Sequence, residues 1–83
     1  MSMITVSQIK AARAALNWSA TELARRAGLG LRTVLRLESA TGVPQTTTST
    51  LTKIQTALEA GGIEFIGTPD DGPGIRIRTG SRD

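Results

Sequence analysis

The sequence predicts a mainly α fold, four short helices closed at the carboxyl end by a β-hairpin. Three observations predict it. Apolar residues recur at helical spacing between Ile9 and Leu58, and hydroxyl or glycine residues stand where helix caps belong. The period then changes to strict alternation in Ile75-Arg76-Ile77-Arg78. A chain of 83 residues makes one small domain. At that size folding buries roughly 60% of the unfolded chain's surface, so a second copy would add stability.

The first helix is predicted to start near Thr5. Thr5-Val-Ser-Gln8 fits the capping box, in which the hydroxyl takes the amide three residues on and the Gln side chain reaches back. Ile9, Ala12 and Leu16 then form the buried stripe, Ala11 and Ala15 widen it, and Asn17-Trp18 closes the segment with Trp18 as a packing residue. Ser19 caps a second helix over 20–27, whose inner face is Leu23, Ala24 and Ala27. Gly28 is placed to end it in the left-handed conformation, and Leu29 plugs the core from the turn. Gly30 opens a third helix over 31–39 with Val34 and Leu37 inward. Two short amphipathic helices joined by so short a Gly-containing turn must cross steeply, which is helix-turn-helix geometry.

Residues 40–46 read as a loop punctuated by Gly42 and Pro44. Any of Thr46, Thr47, Thr48 and Ser49 can cap a fourth helix, striped by Leu51, Ile54, Ala57 and Leu58 and stopped by Gly61-Gly62. Residues 63–66 and 75–78 read as strands joined by a Gly/Pro loop over 67–74, with Glu64 on the face of Arg76 and Arg78 if they pair. The expected organisation is a helical domain over 1–62, a hairpin over 63–79 that is a possible dimerisation element, and a frayed tail over 80–83.

Composition narrows the function. The chain has no cysteine, histidine or tyrosine. Disulfides, thiolate metal sites and zinc fingers are excluded, no metal or other cofactor is expected, and the usual nucleophile–base pairs of an enzyme are missing. Asp70-Asp71 and Gly72-Pro73-Gly74 are turn chemistry rather than a catalytic pair or a phosphate loop. No apolar run approaches the roughly 18 residues that span a bilayer. Met1-Ser-Met-Ile-Thr-Val6 lacks a basic leader region and a cleavage site, so a cytoplasmic location without membrane contact is expected.

Charge is unevenly placed. Residues 1–53 carry Lys10, Arg13, Arg25, Arg26, Arg32, Arg36 and Lys53 against Glu22 and Glu38, a net of +5 within a total of +3. The remainder is acidic by two charges. A basic half suits a polyanion, because each neutralised phosphate releases condensed counterions; the plain alternative is a solvated helical surface.

The stretch TELARRAGLGLRTVLRLE, preceded by Arg13 and Ser19, resembles the lambda-repressor-like helix-turn-helix family of phage repressors, Cro proteins and Xre regulators. Leu23-Ala24, Gly28, Thr33-Val34 and Leu37-Glu38 carry the likeness, which extends over about two-thirds of the chain, residues 6–60. It implies a bundle of four or five helices with the helix over 31–39 in the major groove of double-stranded DNA. By that resemblance Leu31, Arg32, Leu35 and Arg36 face base edges, with Thr33 near a phosphate or thymine methyl. Ser19 and Thr46, Thr47 and Thr48, at helix starts, match phosphate-contacting positions, and Arg13 and Glu38 match a structural ion pair.

Three positions depart from the family pattern: Ala20 where relatives carry a phosphate-binding Gln, Gly30 in place of a hydroxyl cap, and apolar Leu31 and Leu35 on the reading face. Two functions therefore stand side by side. One is a homodimeric DNA-binding transcriptional regulator, a repressor or a regulator of a mobile element. The other is a helix-turn-helix protein that binds a protein partner through Leu31 and Leu35, such as an antiactivator of a transcription activator. Part of an antitoxin is a third reading.

Overall fold

The computed structural model describes residues 4–78. Residues 1–3 and 79–83, which include the last residue of the expected hairpin span and the tail expected over 80–83, lie outside the described residues. Four helices, α1 (Val6–Ala15), α2 (Ala20–Ala27), α3 (Leu31–Glu38) and α4 (Thr48–Ala60), precede a hairpin of β1 (Ile63–Thr68) and β2 (Asp71–Ile77).

Local chemistry sets the helix ends. Thr5 and Gln8 form the reciprocal capping box at α1, and Ser19 and Thr47 accept the third amide of α2 and α4. Gly30 begins α3 without a side-chain cap. α2 ends on Gly28 at φ 71°, where the Leu29 amide donates to the Ala24 carbonyl at 2.9 Å and the Gly28 amide to Arg25 at 3.3 Å. α1 ends in the same pattern on Asn17 at φ 64°, with Trp18 donating to Arg13 and Asn17 to Ala14. Both are six-to-one and five-to-two closures that satisfy orphan carbonyls and turn the chain sharply.

The core gathers Ile9, Ala12, Leu23, Ala24, Val34, Leu37, Ile54, Leu58 and Ile63 from every helix and from β1, with Ile4 from the segment before α1. Trp18 packs against it half-buried, and Arg26 lies over its indole ring at 4.4 Å. The predicted widening of the α1 stripe is corrected: Ala11 and Ala15 are exposed. α1 is covered along one line only, and the position that joins that line is the polar Gln8, 3% exposed.

The hairpin is also corrected. Its strands run through most of the predicted loop, pairing Ile63 with Ile77, Glu64 with Arg76, Phe65 with Ile75, Ile66 with Gly74, and Thr68 with Asp71. Only Pro69 and Asp70 remain as the turn. The glycines that suggested a loop instead permit an irregular ladder. Gly67 (φ 76°) stands at the register shift between Ile66 and Thr68, where a Cβ would collide with the Gly72 carbonyl. Glu64 bonds both Arg76 and Arg78, on the face expected for it. Gln8 fastens the hairpin to α1: its Nε2 donates to the Ile66 carbonyl at 3.0 Å and the Gly74 carbonyl at 2.8 Å.

Candidate nucleic-acid interface

α3 is held by its inner face and presents its outer one. Val34 is fully buried and Leu37 nearly so, which fixes the rotation of the helix about its axis. Its carboxyl end is anchored through Glu38. Arg13 of α1 grips that carboxylate with two parallel bonds, Nε to Oε2 and Nη2 to Oε1, each 3.0 Å, and its Nη1 donates to the Trp18 carbonyl at 3.0 Å. One guanidinium thus ties α1, the corner before α2, and the end of α3.

The rotation that buries Val34 and Leu37 turns Leu31, Arg32, Leu35 and Arg36 outward, all exposed. Leu31 keeps 42% and Leu35 51% of its surface, so neither tucks into the turn. Arg32 and Arg36, four residues apart, project from one side of the helix. Among the described residues neither has a carboxylate within ion-pair distance, and the same holds for Lys10 and Lys53. The other described arginines are engaged: Arg13 by Glu38, Arg25 and Arg26 by Glu22, Arg76 and Arg78 by Glu64. The basic charge of the first half is therefore left uncompensated on α3 and at two separate lysines.

Beside α3 an open groove of about 540 Å³ is lined by Thr33, Arg36, Leu37, Ala40, Thr41, Gln45 and Thr46. It brings Thr33 and Arg36 together with Thr46, from the approach to α4. Thr47 is occupied by its own cap, accepting the Thr50 amide at 3.1 Å, and Thr48 opens α4 exposed to solvent. No acidic residue stands in the first turn of α4. Ser19 is exposed but is not part of this groove, and it accepts the Glu22 amide at 3.1 Å. Glu22 places a carboxylate in the first turn of α2, and bonds from Arg25 and then Arg26 hold it below the ordinary carboxylate range. The two helix starts therefore differ: α4 offers an amide-rich end beside Arg36, and α2 offers one already facing an anion.

Gln45 and Thr41 also line the groove, although the sequence gives residues 40–45 no role beyond a loop. Polar residues immediately before a helix start were the available signal. Among the described residues no three carboxylates gather as a metal site, and no helix is long and apolar enough to cross a membrane.

A family model described as helix-turn-helix matches residues 9–63, which takes in all four helices except the start of α1, and the turn between α2 and α3. No curated protein matches the chain with significance.

Proposed function

The chain belongs to the Cro/C1-type helix-turn-helix family of DNA-binding regulators, and from that premise we propose that it is a sequence-specific transcriptional regulator that inserts α3 into the major groove. In this reading it is a cytoplasmic repressor or regulator of a mobile element. The observation that carries it is the pair Arg32 and Arg36, exposed, unneutralised among the described residues and aligned on one side of α3. An arginine fork matches guanine O6 and N7, a contact worth about 1–3 kcal/mol of discrimination. Leu31 and Leu35 meet thymine methyls, Thr33 lies at the groove margin, and Thr46, Thr47 and Thr48 with the α4 amides receive a backbone phosphate. Ser19 is the second phosphate seat, with Glu22 set against it. One domain reaches few base pairs, so the regulator works as a homodimer on half-sites about one helical turn apart.

Fluorescence anisotropy with the DNA upstream of its own gene tests the proposal. Binding should resist nonspecific competitor and weaken with salt, and Arg36→Ala should weaken it about tenfold or more. No competitor-resistant binding at micromolar protein would overturn it.

A second reading rests on the exposure of Leu31 and Leu35 beside those arginines. It makes the same face a seat for a protein partner, such as a transcription activator held inactive. Leu35→Ala would then abolish capture of that partner, and operator binding would be absent in the unsubstituted chain.

A further inference from the structure

We propose that Glu22 and Glu64 are specificity-determining residues: each masks a pair of arginines from polyanions, and together they confine the attraction for DNA to the face of α3. This rests on the DNA-binding reading above and adds to it the residues that hold down indiscriminate binding. On α2 the Glu22 carboxylate takes bonds from Arg25 through both oxygens, Nη2 to Oε2 at 2.6 Å and Nε to Oε1 at 3.3 Å, and one more from Arg26 Nε. Arg26 is held a second time, over the Trp18 ring. On the hairpin, Oε1 of Glu64 is shared by Arg76 Nη1 at 3.1 Å and Arg78 Nη1 at 2.6 Å.

The placement is selective. Glu22 precedes its arginines by three and four residues on α2, and Glu64 pairs across the ladder with Arg76, with Arg78 two residues beyond. All four arginines are exposed, as are Arg32 and Arg36. What separates the two groups is compensation: among the described residues the pair on α3 has no carboxylate within ion-pair distance.

Exposed ion pairs add little to folding stability, but they change what a polyanion meets. A phosphate that takes Arg25 or Arg78 must first displace a carboxylate already bonded there, and a compensated arginine releases fewer counterions on binding. Indiscriminate binding sums over every orientation in which a basic patch can lie on the phosphate backbone. Specific binding uses the one orientation that sets α3 in the groove. The hairpin packs on α1 and α4, and a backbone drawn to Arg76 and Arg78 is not thereby brought into register with α3. Masking arginines outside α3 removes competing orientations and leaves the specific one, which widens the difference between the two affinities.

Glu22→Gln and Glu64→Gln each raise the net charge of +3 by one and free two arginines. Glu59→Gln raises it equally and frees none, because the Glu59 carboxylate accepts from Gln55 at 3.0 Å and pairs with no described cation. Fluorescence anisotropy with a short scrambled duplex, repeated over a fourfold rise in salt, separates masking from net charge. Each newly engaged phosphate steepens the salt dependence by about 0.9, an added loss of roughly threefold in affinity over that range. Glu22→Gln and Glu64→Gln should bind the scrambled duplex at least about threefold more tightly at the lowest salt, with the steeper slope, and Glu59→Gln should match the unsubstituted chain. On the DNA upstream of its own gene Glu64→Gln should gain less, so that its preference for that DNA falls. Unchanged scrambled-duplex binding in either masking variant, an equal rise in Glu59→Gln, or an equal gain of Glu64→Gln on both DNAs would overturn the proposal. Circular dichroism checks folding, and if one masking variant does not fold the other decides. The scrambled duplex contains no operator, so failure of that measurement is separate from failure of operator binding.

Discussion

Substituting Gln8 by Glu separates two roles of one buried amide. Gln8 is 3% exposed; its Oε1 accepts the Thr5 amide at 2.8 Å, and its Nε2 donates to the carbonyls of Ile66 and Gly74. If the residue acted only as a cap, Gln8→Glu would keep the capping box and add a favourable charge at a helix start, a gain of about 0.3–1 kcal/mol. The structure predicts the opposite sign. A carboxylate keeps the bond from Thr5 but turns an oxygen toward two carbonyls, losing two hydrogen bonds at about 1 kcal/mol each. Burying the charge adds to that, for a total of about 3–5 kcal/mol.

A domain of this length holds about 4–12 kcal/mol in all, so the variant should lie near its unfolding threshold. Gln8→Met, which loses the bonds without adding charge, should cost about 2 kcal/mol. Urea unfolding at neutral pH, followed by circular dichroism and Trp18 fluorescence, measures both. Burial raises the folded-state pKa of the introduced carboxyl. The penalty is therefore full above that raised value and lifts as pH falls toward the ordinary Glu value of about 4.3. Stability of Gln8→Glu equal to or above the unsubstituted chain would refute the reasoning.

Arg13→Met should cost about 2–3 kcal/mol, because it strands the Glu38 carboxylate, whose side chain is 8% exposed; Arg13 at 25% exposure keeps the loss below that of a fully buried pair. A double-mutant cycle with Glu38→Gln should show coupling of at least about 1 kcal/mol, and additive losses would contradict the pairing. Glu64 should titrate below the ordinary carboxylate range, held down chiefly by its bond from Arg78 and then by Arg76. A lowered folded-state pKa gives stability that is present above the unfolded value and lost as pH falls through the folded one. An NMR titration should show Glu64 moving upward in Arg78→Ala, and an unchanged midpoint would count against the bond.

The helices were legible because their boundaries are written in local chemistry. Thr5, Ser19 and Gly28 each act on groups within four residues, so a short window of sequence contains both partners; for the fourth helix the sequence offers four hydroxyl caps, and the fold uses Thr47. The inward rotation of α3 was legible too, because Val34 and Leu37 share one side of a regular helix. The hairpin was legible in kind but not in extent. Gly67 and Gly72 signal either a loop or an irregular ladder, and only the pairing of Thr68 with Asp71 distinguishes them.

By itself, then, the sequence determined the four helices, the crossing of α2 and α3, and the residues that can face outward on α3. The tertiary structure decided what depends on segments far apart in the chain. It set Gln8 on carbonyls 58 and 66 residues away, left Ala11 and Ala15 in solvent, and drew Thr33, Arg36 and Thr46 to one groove. It also left Ile77 bare while burying the Ile63 opposite. The reason is one of range: caps and periodic faces are set by hydrogen bonds and geometry within a turn or two. Burial and charge compensation are set by whichever distant element comes to lie alongside.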